Sequence, residues 1–187
     1  MNYAAINLAF RGYAEATKGY QAAAQIRPKD YDAKLGLAVA TRGQLDYHLT
    51  TKQSLERTIG ECQDPEKAGR PKCADALSKG PAVAKEHEAK FLDFYKQAVT
   101  AYDAARDTDP SRPEAYFNKA LLIEKYKAKS GQASSAETYR ESEKLYQEVV
   151  SKFGGNDKYK KLVDDAKSRA EEAAKAAKFE EDAAKAP

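Results

Sequence analysis

Apolar residues recur along this chain at helical spacing with few interruptions. Tyr95, Ala98, Tyr102 and Ala105 fall at i, i+3, i+7 and i+10, which is one face of a helix, and Pro110 closes the run. Small alanines alternate there with large tyrosine rings. A helix carries that pattern where a second helix must approach closely between bulky anchors. After Asp109-Pro110 a new helix is predicted from Pro113-Glu114, with proline at its first position. No alternating period-two run of useful length occurs, so the predicted fold class is all-α.

The same ladder stands earlier in the chain. Tyr13, Ala16, Tyr20, Ala23 and Pro28 repeat the spacing of Tyr95, Ala98, Tyr102, Ala105 and Pro110 without a gap. A weaker third copy has Ser142, Tyr146, Val149 and Gly154 in place of Ala, Tyr, Ala and Pro. The preceding helix recurs too, since Leu37-Ala38 follows Pro28 as Lys119-Ala120 follows Pro110. Helix, short proline-bearing turn, helix, with small residues at fixed offsets, resembles the tetratricopeptide repeat (TPR), a helical hairpin of about 34 residues. The resemblance implies a single solenoid domain over 1–187. It divides into a partial first repeat (1–28), a second (29–110), a third (111–155) and a capping helix (156–187). An unrelated helical bundle with chance spacing is the plain alternative.

The second repeat is too long. Tyr31 to Tyr102 spans 71 positions, against about 23 for the equivalent interval in an ordinary unit. The apolar period of the helix capped by Asp30 continues through Leu45, Leu49, Leu55 and Ile59. It resumes through Val83, His87, Phe91 and Phe94. Between them, Gly60 to Gly80 gathers glycines, prolines and both cysteines, which reads as a tip with a short helix at Lys72 to Ser78. The insertion over about 44–92 thus predicts a helical hairpin arm, its helices extended by roughly 20–24 Å at 1.5 Å per residue. A floppy insertion is the alternative. The third repeat has a smaller excess, with its loop at Ser130 to Ser135. Gly154-Gly155 stands where helix ends favour glycine. Asn156 or Asp157 then caps a last helix from about Lys158. Its apolar face is Tyr159, Leu162, Val163, Ala166, Ala170, Ala173 and Ala177. Past Ala173 only Phe179 is large and apolar, so that end is expected to run free or to await a partner. Asn2 to Arg11 reads as what remains of the first helix of repeat one. The chain opens inside a motif, and we expect a further segment upstream of Met1.

Composition narrows the function. The chain of 187 residues is 42% hydrophobic and 33% charged. It has no Trp and carries a net charge of +3, with pI near 8.6. That charge is too mild and too evenly mixed to point to nucleic acid. No apolar run reaches transmembrane length, and the residues from Met1 onward do not show the pattern of a signal peptide.

The two cysteines, Cys62 and Cys73, bracket the predicted tip. A bridge there closes a small loop in a segment with little core, and it implies an oxidising compartment such as a periplasm or cell envelope. Two free thiols in a cytoplasmic protein are the alternative. The two histidines, His48 and His87, lie one on each arm helix. The repeat register puts position 48 opposite about 88–92, near Glu86 and Glu88. A metal or proton-switch arrangement is conceivable there, but incidental seam histidines are the simpler reading, and no metal or cofactor is expected. No HExxH, GxSxG, P-loop or GxGxxG occurs, and carboxylates interleave with lysines as on a solvated helix face. The expectation is a non-enzyme.

What the TPR resemblance implies is binding of a partner's peptide or helix in a groove lined by the first helices. The corresponding positions are Asp32, Leu35, Val39 and Arg42 in repeat two, and Glu114, Phe117, Leu121 and Glu124 in repeat three. Ordinary packing between repeats explains the apolar ones equally well. The carboxylate clamp of some family members is missing, since Gly36 and Glu114 occupy two of its positions. The reading is therefore a protein–protein interaction scaffold or assembly adaptor of the periplasm or cell envelope. Its rivals are a cytoplasmic regulatory module and a self-association element pairing through the arm or the last helix.

Overall fold

The computed structural model describes residues 3–9, 11–67 and 69–185. Among the described residues eight α-helices follow one another: α1 (Tyr3–Ala9), α2 (Tyr13–Ile26), α3 (Tyr31–Gln63), α4 (Pro71–Ser78), α5 (Gly80–Thr108), α6 (Glu114–Tyr126), α7 (Ser135–Phe153) and α8 (Lys160–Ala183). Single 3-10 turns stand at Ala128–Ser130 and Asp157–Tyr159, and no strand occurs among the described residues. The chain is all-α. Of the first predicted helix, Asn2 and Phe10 lie outside the described residues.

Local chemistry sets the helix starts. Asp30 accepts from the Ala33 amide at 3.0 Å and caps α3. Ser134 and Glu137 form a reciprocal capping box at the head of α7. Gly131, at φ 71°, turns the chain in the loop before it. Gly154 follows α7 at φ −62°, so its left-handed freedom is not used. The chain instead makes the turn Asp157–Tyr159, capped by Asn156, and α8 begins at Lys160, slightly later than the sequence suggests.

Most positions of the alanine–tyrosine ladders are interior, Tyr13 and Ala23 being half-buried. Ala16, Ala98, Tyr102 and Ala105 have no exposed surface, and Tyr20 and Tyr95 are buried. The longest helices, α3 and α5, share the most extensive contact. They run antiparallel, as three cross-links show: Lys34 to Thr108 (2.6 Å), His48 to His87 (2.9 Å) and Lys52 to Glu88 (2.9 Å). Between them Ala38, Leu45, Leu49, Phe91, Tyr95, Ala98 and Tyr102 form one core, joined by Leu122, Ile123 and Tyr126 of α6. Burying a large side chain of this kind stabilises a fold by about 1.5–3 kcal/mol. At the far end Cys62 and Cys73 are both buried, with their sulfurs at disulfide bonding distance and Cα atoms 5.2 Å apart. They tie the end of α3 to α4.

A second core joins Tyr116, Phe117 and Ala120 of α6 to Tyr146, Val149 and Phe153 of α7, and to Val163, Ala166 and Ala170 of α8. Ala173 and Ala177 are buried as well. Arg140 of α7 makes two hydrogen bonds to Glu181, at 2.8 and 3.1 Å. The end of α8 is therefore held against α7 rather than running free, and its one large apolar residue, Phe179, is 72% exposed.

Candidate functional site

A cleft of about 480 Å³ opens where α2, α3, α6, α7 and α8 meet. From α3 it takes Val39, Arg42, Gly43 and Asp46, and from α6 Leu121, Glu124, Lys125 and Tyr126. Tyr13, Tyr139 and Arg169 complete it from the other three helices. Local geometry explains the shape. A Cβ at position 43 would stand 2.2 Å from Tyr13 Cδ1. Only glycine lets the tyrosine ring lie flat on α3 at the cleft wall.

Every charge in the lining has a partner. The Asp46 carboxylate accepts from the Tyr126 hydroxyl at 2.8 Å and from Lys125 Nζ at 3.1 Å, bridging α3 to α6. Partial burial opposes its ionisation, but the two donors outweigh that and hold the carboxyl below its usual pKa. Arg42 donates to Asn118 Oδ1 at 3.2 Å. Glu124 accepts from the Tyr146 hydroxyl and faces Arg169 Nη1 at 3.5 Å. Burial, and then the Glu124 carboxylate, raise the Tyr146 pKa, so its hydroxyl stays protonated and donates. Three cationic side chains thus stand among two anionic ones, with apolar surface from Val39 and Leu121 between them.

The sequence-derived groove positions divide. Val39, Arg42, Leu121 and Glu124 line the cleft. Phe117 is buried behind it, its ring 5.7 Å from that of Tyr146. Leu35 packs on the cluster of Tyr31, Ala105 and Ala115. Asp32 and Glu114 are drawn to one cation: Arg112 Nη1 lies 2.8 Å from Asp32 and its Nε 3.4 Å from Glu114. The Arg112 guanidinium sits 3.9 Å over the Tyr31 ring. Sequence reasoning missed Tyr13, Asp46, Lys125, Tyr126, Tyr139 and Arg169. For Tyr13 a signal exists, since Tyr13 and Tyr20 are seven residues apart, as are Gly36 and Gly43. Arg169 had none, because only the docking of α8 brings it to the cleft.

Between α3 and α5, His48 and His87 meet Nδ1 to Nδ1 at 2.9 Å, within one residue of the register read from the sequence. His48 stacks on Phe94 at 5.4 Å and 11°, with the Tyr47 ring edge-on at 5.1 Å. Burial, then the neighbouring His87 and Lys90, lower the His48 pKa. Among the described residues no group of three or more His, Cys, Asp or Glu is gathered as a metal cluster. No described helix is long and apolar enough to cross a membrane.

No family model, curated protein or solved structure matches this chain.

Proposed function

We propose that the chain is a TPR-like interaction scaffold. The hairpins α1–α2, α3–α5 and α6–α7 are its stacked units, α8 its end cap, and the far halves of α3 and α5 an inserted arm. The observation that carries this reading is the cleft on α3, α6 and α8, at which four of the eight groove positions meet. Its occupant is a short peptide or helix of a partner protein, with an apolar side chain against Val39 and Leu121 and polar groups toward Arg42, Glu124 and Arg169. Mixed polarity around an apolar centre is what peptide sites use for orientation. The pairing of Cys62 with Cys73 favours an oxidising compartment, the periplasm or cell envelope.

The test is selection of peptides from a display library on the wild-type protein, then titration of the selected peptides. Arg42→Glu and Leu121→Asp should each weaken them at least about tenfold, or 1.4 kcal/mol. Ile26→Asp, on the exposed end of α2, should not. Peptides that bind the two cleft variants as tightly as wild type would remove the cleft from the function.

A further inference from the structure

We propose that His48 and His87 form a binding site for a single divalent transition-metal ion of imidazole preference, with Cu²⁺ held most tightly, bound through both Nδ1 atoms and completed by water. The site lies on the arm and is independent of the cleft.

The nitrogens already stand at the required separation. Two imidazole nitrogens bound side by side at right angles, each about 2.0–2.1 Å from a metal, lie about 2.9 Å apart. His48 Nδ1 and His87 Nδ1 are 2.9 Å apart. An ion can therefore enter with no movement of α3 against α5, each ring turning so that its Nδ1 lone pair leaves the line of the hydrogen bond and points at the metal. The rings are also held in place. Phe94 covers one face of His48, Tyr47 contacts both rings at 5.1 and 6.1 Å, and the antiparallel seam is fixed beside them by Lys52 and Glu88. Rigid support of this kind is what separates a site from two chance ligands.

Protonation fits as well. A metal ligand must be neutral imidazole, and the half-buried setting of His48 disfavours its cation. In the empty pair one Nδ1 carries the proton and donates to the other. On binding, that proton passes to Nε2 of the same ring, and both Nδ1 lone pairs face the ion. No net proton leaves a neutral pair. The surrounding charges are already committed to each other: Glu86 to Lys90 on α5, and Glu88 and Glu56 to Lys52. Arg11 and Glu15 stand across the cavity of about 290 Å³ that gives His48 its access to solvent. No third protein ligand is in place, so water or a partner's side chain fills the open positions. Imidazole suits Cu, Zn and Ni, and affinity peaks at Cu²⁺ in the first-row series.

The experiment is a CuCl₂ titration of the whole chain at about pH 7.5, in a non-coordinating buffer, with a repeat at about pH 5 as the proton-competition control. The readout is tyrosine fluorescence, since the chain has 12 Tyr and no Trp and Tyr47 touches both rings. Saturable quenching by one ion per chain is expected, with Kd on the order of micromolar. His48→Gln and His87→Gln should each weaken it at least about tenfold, with far-UV circular dichroism confirming that both variants fold. The electron paramagnetic resonance spectrum of the wild-type complex should show two coordinated imidazole nitrogens, and this holds as a readout even if a variant misfolds. Equal affinity in wild type and folded variants overturns the proposal. So does a spectrum with fewer than two imidazole nitrogens, or the absence of saturable binding.

Discussion

The ring of Tyr20 occupies the space that a side chain at Gly36 would fill: a Cβ there would lie 2.3 Å from Tyr20 Cε1. Tyr13 and Gly43 repeat the relationship one step along the same two helices, at 2.2 Å. These paired contacts set how closely α2 lies on α3, and hence where the cleft wall stands. In an exposed helix, replacing glycine by alanine gains up to about 1 kcal/mol. Here the gain is outweighed by overpacking, which costs about 1–3 kcal/mol. Gly36→Ala and Gly43→Ala should therefore lower the urea midpoint. Gly60→Ala, also within α3 but with nothing within 4 Å of a new Cβ, should raise it. Equal effects at all three positions would refute the close approach of the tyrosines.

Tyr31 supplies what α6 lacks. No side chain of the segment caps that helix at its start. Instead the Tyr31 hydroxyl, from α3, accepts from the buried Ala115 amide at 3.1 Å and donates to Glu114 at 3.4 Å. Tyr31→Phe keeps the ring and the Arg112 stack but strands the amide, at a cost of about 1–3 kcal/mol. Denaturant unfolding reads the loss. Hydrogen exchange should place it at the first turn of α6.

Tyr102 offers the opposite case. Its hydroxyl is buried with no hydrogen-bond partner among the described residues, and burial raises its pKa to about 12. Removing an unsatisfied polar atom costs nothing and relieves a desolvation penalty. Tyr102→Phe should leave stability unchanged or raise it by up to about 1 kcal/mol. A loss greater than that would mean the hydroxyl is satisfied.

The histidine pair makes stability depend on pH. The His48 pKa is lowered on folding, first by burial and then by His87. The unfolded chain therefore takes up more protons as pH falls through the ordinary histidine range. Stability is full above that range and declines below it, levelling off under the folded-state value. His87→Gln removes one cause of the shift, so the drop in urea midpoint between about pH 7.5 and 5 should shrink. An unchanged profile would mean that His87 does not depress the His48 pKa. Glu86, Lys90, Lys52, Glu88, Arg11 and Glu15 remain in both proteins and serve as a common background.

The Cys62–Cys73 link should act locally. Its closed loop is short, with a sequence separation of 11, so chain entropy sets its contribution at about 2–3 kcal/mol. Reduction should expose the amides of α4 to rapid exchange and leave those of α6 and α7 protected, because α4 contacts only α3 and α5 appreciably. Mass measurement of freshly isolated protein, with and without alkylation under native conditions, shows whether the bond exists before handling. Two alkylated thiols would remove the argument for an oxidising compartment.

Sequence alone determined the all-helical class, the burial of most ladder positions and most helix limits, and it offered the meeting of the cysteines and the approach of the histidines as readings beside their alternatives. The first three follow from local rules, a 3.6-residue period, caps and prolines, and the histidine register from the repeat resemblance. It also placed Val39, Arg42, Leu121 and Glu124 on one side. Only the tertiary structure decided that Phe117 is buried behind the cleft, that Asp32 and Glu114 both turn to Arg112, and that Tyr13, Tyr139 and Arg169 complete the cleft. Those outcomes depend on how far one helix turns and slides against another. That is set by packing among residues distant in sequence, such as Arg169 of α8 brought to the cleft by the docking of that helix, and no spacing within one helix encodes it.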